Sequence, residues 1–487
     1  MLNVTLDMPA GAASEARLHD CTDLSMVFTA PREKRAKLFC GLARSALRWP
    51  IAAWGLLDAA AAFGFFFLAH HLSSKFDFSI HHGYRIGMAA TIFAGLLLCI
   101  CYAQGLYDRH NMTSLNFIAR AAVIANLLAL AGTSLGFGWL SFVNIGRVIL
   151  LNTFIASTAS VILIRILVRA MARSAKVRIL FIGDRTKFRP LERELRHRFR
   201  GFYNRPIYFE MPSDGSIDSD KLLMQAIRRS DPDEIVVEDC NSLILDLLRH
   251  SATILDLGCE IRSHNAYFEE LLRQVPVEVM DHRAMLGTGL NNNRYGTHLA
   301  KRVLDICLAS FGLIVASPIM LVIVTTMKLF ERGPIIYKQT RVGRYGRLFS
   351  IYKFRTMRVD AEIDGAVWAK SRDSRVTPLG RFLRGSRLDE LPQLWNILRA
   401  EMSFVGPRPE RPEFVSELRK QIPHYDLRHL VPPGLTGWAQ VRYRYGASVQ
   451  DAQRKLAFDL YYVRRYSPSF DLAICLRTAV AMAKGSR

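Results

Sequence analysis

Hydrophobic residues in this chain gather first into long unbroken runs and later into short periodic patterns. Four apolar runs, near Trp49–Leu68, Ile86–Tyr107, Ala121–Leu140 and Val148–Leu167, each approach the roughly 20 residues needed to cross a bilayer. Their polar members are few: Asp58, Gln104, Asn126 and Asn152. Four such runs in succession, joined by short connections, predict a transmembrane four-helix bundle over residues 49–170 rather than buried soluble helices. Arg32, Lys34, Arg35, Lys37, Arg44 and Arg48 precede the first run, and Arg165, Arg169, Arg173, Lys176 and Arg178 close or follow the fourth. The first and third connections, 70–85 and 141–147, are poor in Lys and Arg. Basic residues favour the cytoplasmic side, so both ends of the bundle are expected there, with residues 1–48 as a cytoplasmic tail. The first 30 residues are polar and lack the continuous apolar segment of a cleaved signal peptide.

The pattern changes at residue 177. Val177–Asp184 reads as a buried parallel strand ending in a turn, and Glu234–Glu238 as another. Helical periodicity over Leu191–Phe199, Lys221–Arg229 and Leu243–Leu257 alternates with them, which predicts a βαβ domain over 177–290. Its first turn offers the single glycine Gly183 in place of G-x-G-x-x-G, so the backbone lacks the usual close approach to a pyrophosphate. The expectation is a degenerate Rossmann-like domain with a scaffolding or regulatory task.

A fifth apolar run, Leu304–Phe330, is interrupted by Ser317-Pro318. Lys301 and Arg302 precede it, and Lys328 and Arg332 close it, so both flanks carry the cytoplasmic mark. Proline removes an intrahelical hydrogen bond, and the Ser317 hydroxyl can bond the freed carbonyl, which makes a break tolerable in lipid. The expected shape is a re-entrant helix that turns at Ser317-Pro318 and leaves on the side it entered, against the alternative of a kinked span. Beyond it, Leu391, Leu394, Trp395 and Leu398 fall on one helical face, with Pro392 in a first turn. That places Asp389 and Glu390 at a helix N-terminus, where anions are favoured. Helix capping and a nucleophilic or metal-binding role both fit these two carboxylates.

Charge narrows the partners. The net charge is +22, the hydrophobic fraction 50% and the mean hydropathy +0.11. From Leu299 onward there are 32 Lys and Arg against 16 Asp and Glu, so most of the excess sits in the last domain. No nucleic-acid module is visible, and the basic region adjoins apolar runs. An anionic membrane surface or phosphorylated substrates are therefore expected as partners, and no nucleic acid. Arg341, Arg344, Arg347 and Arg358 are candidates for lipid phosphates, and 470–483 for an interfacial helix. The eight cysteines form no CxxC pair, and Cys99 and Cys101 read as small core residues.

Around the two carboxylates the chain carries Tyr337-Lys338-Gln339-Thr340-Arg341-Val342-Gly343-Arg344, Tyr352-Lys353-Phe354-Arg355-Thr356-Met357, Ser386-Arg387-Leu388-Asp389-Glu390-Leu391-Pro392-Gln393, Phe404-Val405-Gly406-Pro407-Arg408-Pro409-Glu410 and Pro433-Gly434-Leu435-Thr436-Gly437-Trp438-Ala439-Gln440-Val441. Together and in this order they resemble the bacterial sugar transferases, monotopic polyprenyl-phosphate phosphoglycosyl transferases that start exopolysaccharide and O-antigen synthesis. The resemblance covers Leu299 to about Thr478. It implies a mostly α-helical monotopic catalytic domain over 299–487 whose re-entrant helix is 304–330, on the cytoplasmic face of a bacterial inner membrane. Large members also carry four membrane helices and a Rossmann-like domain.

A carboxylate can attack phosphorus and split one transfer into two. The resemblance gives that task to Asp389, on a UDP-sugar (glucose or galactose by expectation), with UMP leaving and undecaprenyl phosphate as acceptor. Mg²⁺ is expected at Asp389 and Glu390. The resemblance assigns substrate and phosphate contacts to Lys353, Arg355, Arg387, Pro407 and Arg408, the last as a guanidinium fork held between two prolines. It also reaches Arg444 and Asp459. Here Arg442-Tyr443-Arg444 replaces the commoner Asn-Gly-Arg, and Asp459 equally suits an ion pair with Arg464 or Arg465. Inner-membrane phospholipids complete the expected partners. The sequence fixes no oligomeric state, and a homo-oligomer is compatible with it. A catalytically inactive membrane scaffold of polysaccharide assembly is the alternative function, and a transferase of sugar alone, releasing UDP, is the alternative chemistry.

Overall fold

The computed structural model describes residues 51–73, 80–107, 111, 114–139, 147–174, 176, 177–199, 201–210, 218–238, 259–278, 295–358, 361, 375–443, 446 and 448–483. The tail 1–48, the expected helix at 243–257 and Arg444 lie outside them. The chain divides into two compact units, Met1–Leu272 and Arg273–Arg487.

In the first unit, four helices form a bundle: α1 (Ile51–Ser73), α2 (Ile80–Ala103), α3 (Leu115–Trp139) and α4 (Arg147–Ser174). Its interior is built from small and aromatic side chains, among them Phe66, Ala90, Phe93, Ala122 and Ala125, while Leu56, Leu68, Leu127, Leu135, Leu151 and Leu163 face outward. The bundle thus carries apolar side chains on its outside as well as within. Of the polar residues, Asp58, Gln104 and Asn126 point inward and Asn152 outward. Asp58 binds Arg165 through both carboxylate oxygens at 2.5 Å and accepts from the Tyr107 hydroxyl at 3.0 Å. This ties the first helix to the fourth, and removing one partner of such a buried pair costs about 3–5 kcal/mol. Cys101 is core, but Cys99 is exposed. Three helical stretches are long and apolar enough to cross a membrane, Leu115–Gly136, Ile149–Ala170 and Gly296–Phe330, while Trp54–Ala69 and Gly87–Ala103 are shorter apolar stretches.

The second half of this unit is a four-stranded parallel sheet, β1 (Ile179–Ile182), β2 (Ile207–Phe209), β3 (Glu234–Val237) and β4 (Glu260–Ser263), in the order β2-β1-β3-β4. Strands β1 and β3 are buried along their whole length, which is why both read as continuous apolar runs. Helices α5 (Arg185–Arg198), α6 (Asp218–Ser230) and α7 (His264–Leu272) accompany it. The turn after β1 has Gly183 at φ +129°, and the Glu238 side chain lies so close that a Cβ there would meet it at 2.6 Å. The Glu238 carboxylate accepts from the Asp184 amide at 2.8 Å and pairs with Lys187.

The second unit is mostly helical. Helix α8 (Tyr295–Phe330) is followed by the hairpin β5 (Ile336–Val342) and β6 (Leu348–Phe354), then α9 (Pro378–Ser386), a 3₁₀ turn Leu388–Glu390 and α10 (Gln393–Leu398). Strand β7 (Ser403–Val405), α11 (Pro412–Gln421), strand β8 (Gly434–Thr436), α12 (Trp438–Arg442), α13 (Val449–Arg464) and α14 (Pro468–Ala483) complete it. Helix α8 runs through Ser317 and Pro318 without leaving the helical state, so the turn expected there is no interruption of the helix. As expected, the Ser317 hydroxyl donates to the Ile314 carbonyl at 2.8 Å, the acceptor that Pro318 cannot serve. Both limbs of α8 pack against this one domain: Ala309 and Leu313 join Leu394 and Ile397, and Ile323 and Met327 join Phe354 and Leu383. Phe311, Ile314, Leu321, Val322 and Phe330 remain exposed.

Two basic residues that mark the start of this run in the sequence are engaged by the domain itself. Lys301 is 1% exposed, and Arg302 donates to the Ile397 and Leu398 carbonyls at 2.6 and 2.7 Å, capping the end of α10. Helix α14 is likewise a core element: Asp471, Ile474 and Arg477 are buried, with Arg477 stacked 5.3 Å over Trp438, and Leu472 and Met482 are exposed.

Candidate active site

The second unit encloses a cleft of about 1560 Å³ lined by Lys353, Arg355, Arg387, Asp389, Glu390, Arg408 and Asp459, among others. The cleft therefore gathers every described site residue expected from sequence apart from Pro407 and the helix-break pair Ser317 and Pro318. Pro407 is buried next to Arg408.

The carboxylates stand on a strained turn. Helix α9 starts with Thr377 as N-cap, accepting from Gly380 N–H, and Pro378 in the first turn, a combination the helix end favours. Gly380 is required, since a Cβ there would lie 2.1 Å from the Thr356 carbonyl. Backbone thus packs on backbone, and α9 is fixed to the segment leaving β6. The helix ends at Arg387, which is left-handed at φ 56° and ψ 19°. That conformation costs an ordinary residue about 1–2 kcal/mol, and such strain collects at functional sites. The turn that follows holds Asp389 and Glu390, and α10 begins only at Gln393. Neither carboxylate caps that helix, so the capping alternative is not realised. The inner face of α10 also differs from the expected one. Leu394, Asn396 and Ile397 are buried, while Trp395 is 54% exposed. The short helix starts late, and Asn396 takes the inward place. Its side chain donates to the Ser350 carbonyl at 2.8 Å and accepts from Tyr352 N–H at 3.1 Å, locking the carboxylate turn to the strand that carries Lys353.

The two carboxylates have unequal surroundings. Glu390 meets Lys353 at 3.3 Å, Arg408 at 3.4 Å and Arg387 at 3.7 Å. Burial alone would raise its carboxyl, but these three cations outweigh burial and hold it at about 2. Asp389 is 8% exposed and accepts no hydrogen bond among the described residues. Burial raises its carboxyl above the ordinary value and the neighbouring Glu390 adds to this, against the pull of Lys353. Burial in turn lowers Lys353, opposed by Glu390. Arg384, which the sequence reading did not single out, bonds the Thr356 hydroxyl at 2.8 Å, lines the cleft and acts electrostatically on Asp389. Its signal was its place five residues before Asp389, but a lone arginine in a basic helix carries little information by itself.

Arg355 serves the end of α8, donating to the Arg332 carbonyl at 2.8 Å and reaching Glu331 at 3.4 Å. One of its terminal nitrogens, Nη1, is buried without a hydrogen-bond partner among the described residues. Arg408 lies on the loop after β7, 44% exposed between buried prolines. That loop is pressed against the Pro433–Gly437 segment: a Cβ on Gly434 would lie 2.0 Å from the Gly406 nitrogen. The glycines of both motifs thus serve one close backbone contact. Arg341, expected at a lipid surface, instead forms part of the cleft wall and donates to the Pro409 carbonyl at 3.1 Å. Burial, with Arg408 and Arg411 nearby, lowers it to about 10 despite Glu410.

Asp459 pairs with Arg428 at 2.8 Å, not with Arg464 or Arg465. Arg428 also bonds the Arg408 carbonyl at 3.0 Å and the Tyr425 hydroxyl at 2.6 Å. Sequence proximity pointed to the arginines one turn along α13, but the inward face of that helix is met by the 3₁₀ segment Tyr425–Leu430. Burial pushes the Asp459 carboxyl up to about 6 against the attraction of Arg428. Among the described residues, no group of three or more His, Cys, Asp or Glu side chains is placed to hold a metal.

A sequence profile described as bacterial sugar transferase matches residues 296–485. A protein of Aeromonas hydrophila named UDP-N-acetylgalactosamine-undecaprenyl-phosphate N-acetylgalactosaminephosphotransferase is 39% identical over 217 residues, covering 45% of this chain and 51% of the relative. The UDP-glucose:undecaprenyl-phosphate glucose-1-phosphate transferase of Escherichia coli (strain K12) is 41% identical over 182 residues, 37% of this chain and 39% of the relative. Exopolysaccharide production protein PSS of Rhizobium leguminosarum bv. phaseoli is 37% identical over 187 residues, covering 37% of this chain and 94% of the relative. The chain thus spans about half or less of the first two and nearly all of the third.

Proposed function

Because the chain belongs to the bacterial sugar transferase family, we propose that it transfers a hexose 1-phosphate from a UDP-sugar to undecaprenyl phosphate, as the first membrane step of exopolysaccharide synthesis. The names of its relatives support a UDP-glucose or UDP-N-acetylgalactosamine donor, and glucose or galactose remains the proposed sugar. The observation that carries the mechanism is the division of labour in the carboxylate pair. Glu390 is committed to three cations, whereas the Asp389 carboxylate accepts no hydrogen bond among the described residues and keeps its lone pairs for attack.

In the first step an Asp389 oxygen bonds the phosphorus that carries the sugar. The bond from that phosphorus to the bridging oxygen breaks, and UMP leaves. A phosphate oxygen of undecaprenyl phosphate then bonds the same phosphorus, the Asp389–phosphorus bond breaks, and the carboxylate is restored. Most of the protein's work in such a transfer is positioning and charge neutralisation. Lys353, Arg408 and Arg387 supply positive charge, and Glu390 holds it in place beforehand. Mg²⁺ bound by diphosphate commonly takes one or two carboxylates and keeps its waters. The adjacent Asp389 and Glu390 fit that donor set, and the ion would neutralise the diphosphate.

The first unit is read as four membrane spans followed by a Rossmann-like domain, with the catalytic unit on the cytoplasmic face. Packing of both limbs of α8 on one domain supports a re-entrant helix. The Glu238 carboxylate in the Gly183 turn supports a scaffolding task for the sheet.

The test uses purified protein in detergent with Mg²⁺ and UDP-sugars labelled in the sugar, without lipid. Covalent label and released UMP, absent in Asp389→Asn and chased by undecaprenyl phosphate, are expected. Release of UDP would overturn the mechanism. No label and no UMP with any sugar, even with lipid, would leave the inactive scaffold.

A further inference from the structure

The loop carrying Arg408 continues directly from β7, and β7 is gripped by side chains of the long apolar helix α8. Asp305 accepts from the Ser403 hydroxyl and from Phe404 N–H, each at 3.0 Å. Lys301 donates to the Val405 carbonyl at 3.1 Å and pairs with Asp471. The Tyr462 hydroxyl lies 2.8 Å from the same carbonyl and 2.7 Å from Asp471, so its one proton is shared between them. All of these groups are buried: Lys301 is 1% and Asp305 4% exposed, and none of them lines the cleft. Replacing buried ion pairs by apolar side chains is often neutral for stability or better, so stability alone gives no reason for placing them behind one three-residue strand.

We infer that Lys301 and Asp305 of the long apolar helix, together with Tyr462 of α13, are positioning residues that aim Arg408. Only Gly406 and Pro407 separate Val405 from Arg408, and Gly406 is pinned between Pro432 and Gly434, where a Cβ would lie 2.3 Å from the Pro432 carbonyl. A displacement of β7 therefore passes to the Arg408 backbone with little room for absorption. The segment 296–330 that enters the apolar phase and the guanidinium expected to meet phosphate are thereby one mechanical piece. This inference rests on Arg408 contacting phosphate in the proposed reaction.

The test is a double-mutant cycle in the full-length protein, which separates a shared mechanism from independent damage. UMP release and UDP affinity are measured for wild type, Tyr462→Phe, Arg408→Ala and the double variant. Tyr462→Phe removes one oxygen and leaves the Lys301–Asp471 pair in place. It should lower kcat/KM, and weaken UDP, about tenfold, and have less than about a twofold further effect once Arg408 is alanine, as expected for residues acting as a unit. Asp305→Ala should behave alike, and Asp305→Asn, whose amide oxygen still accepts both bonds, should restore the loss. Equal losses with and without Arg408, or no loss in the wild-type background, would overturn the positioning role. An Arg408→Ala variant with full activity and full UDP affinity would overturn the phosphate contact and the inference together. If no variant, wild type included, releases UMP, the cycle is decided by UDP affinity alone.

Discussion

Two turns of this protein place a carboxylate beside a lysine close to the start of a helix, and among the described residues they differ in what the carboxylates hold. After β1, Glu238 accepts the Asp184 amide and pairs with Lys187 over Gly183. There the Asp184 and Thr186 amides and the Lys187 ammonium are engaged by side chains of the protein itself. Before α10, Glu390 engages Lys353, Arg408 and Arg387 at 3.3–3.7 Å, longer than an ideal charge-assisted bond, and Asp389 accepts no hydrogen bond among the described residues. A cleft of about 1560 Å³ opens over this second turn. The contrast shows that residue types do not make a site. Polar capacity left unspent inside a closed environment does, because such groups are costly to bury without a purpose.

The strongest way to break the comparison is to make the two turns alike. Asp389→Asn removes the open carboxylate and should lower UMP release at least about a thousandfold, as loss of a nucleophile does. Glu390→Gln should cost about a hundredfold by releasing the three cations it holds, an effect of the size of losing a preorganised charge partner. The same substitution tests the electrostatics. Glu390 is held at about 2, below its ordinary 4.5, so its contribution to stability is complete above about 4.5 and is lost as pH falls towards 2. Thermal unfolding of the wild type between pH 5 and 3 should therefore lose more ground than that of Glu390→Gln, and parallel curves would contradict the cation cradle. Arg408→Lys keeps the charge but not the fork and should cost about tenfold in kcat/KM, roughly 1.4 kcal/mol. At the small end, Glu238→Gln should leave turnover unchanged and cost at most about 1 kcal/mol of stability, because its partner Lys187 is about half exposed. A nucleotide binding tightly to the wild-type sheet would show that the first turn is not spent after all.

Periodicity made several elements legible. The apolar helices, the strands at 179–182 and 234–237 and the bond from Ser317 to Ile314 follow from local rules about helix length, β runs and proline. The cleft residues were legible through motif order, since Lys353, Arg355, Arg387, Asp389, Glu390 and Arg408 all reach it. The exchanges between distant segments were not. Asp459 finds Arg428 rather than its neighbours in sequence, Arg341 forms part of the cleft wall rather than meeting lipid, and Trp395 gives its expected inner place to Asn396.

The sequence by itself determined which segments are apolar enough to leave water, where the backbone must bend, and which charged residues belong to one chemical vocabulary. Those properties depend on neighbours within a few residues. The tertiary structure alone decided that Glu390 is ion-paired with three cations while Asp389, among the described residues, is in no ion pair, although the two are adjacent and nearly identical in chemistry. The reason is physical: a carboxylate's reactivity is set by burial and by the cations within about 4 Å. Here those cations come from β6, the loop after β7 and the left-handed turn at Arg387, segments that meet only when the chain is folded.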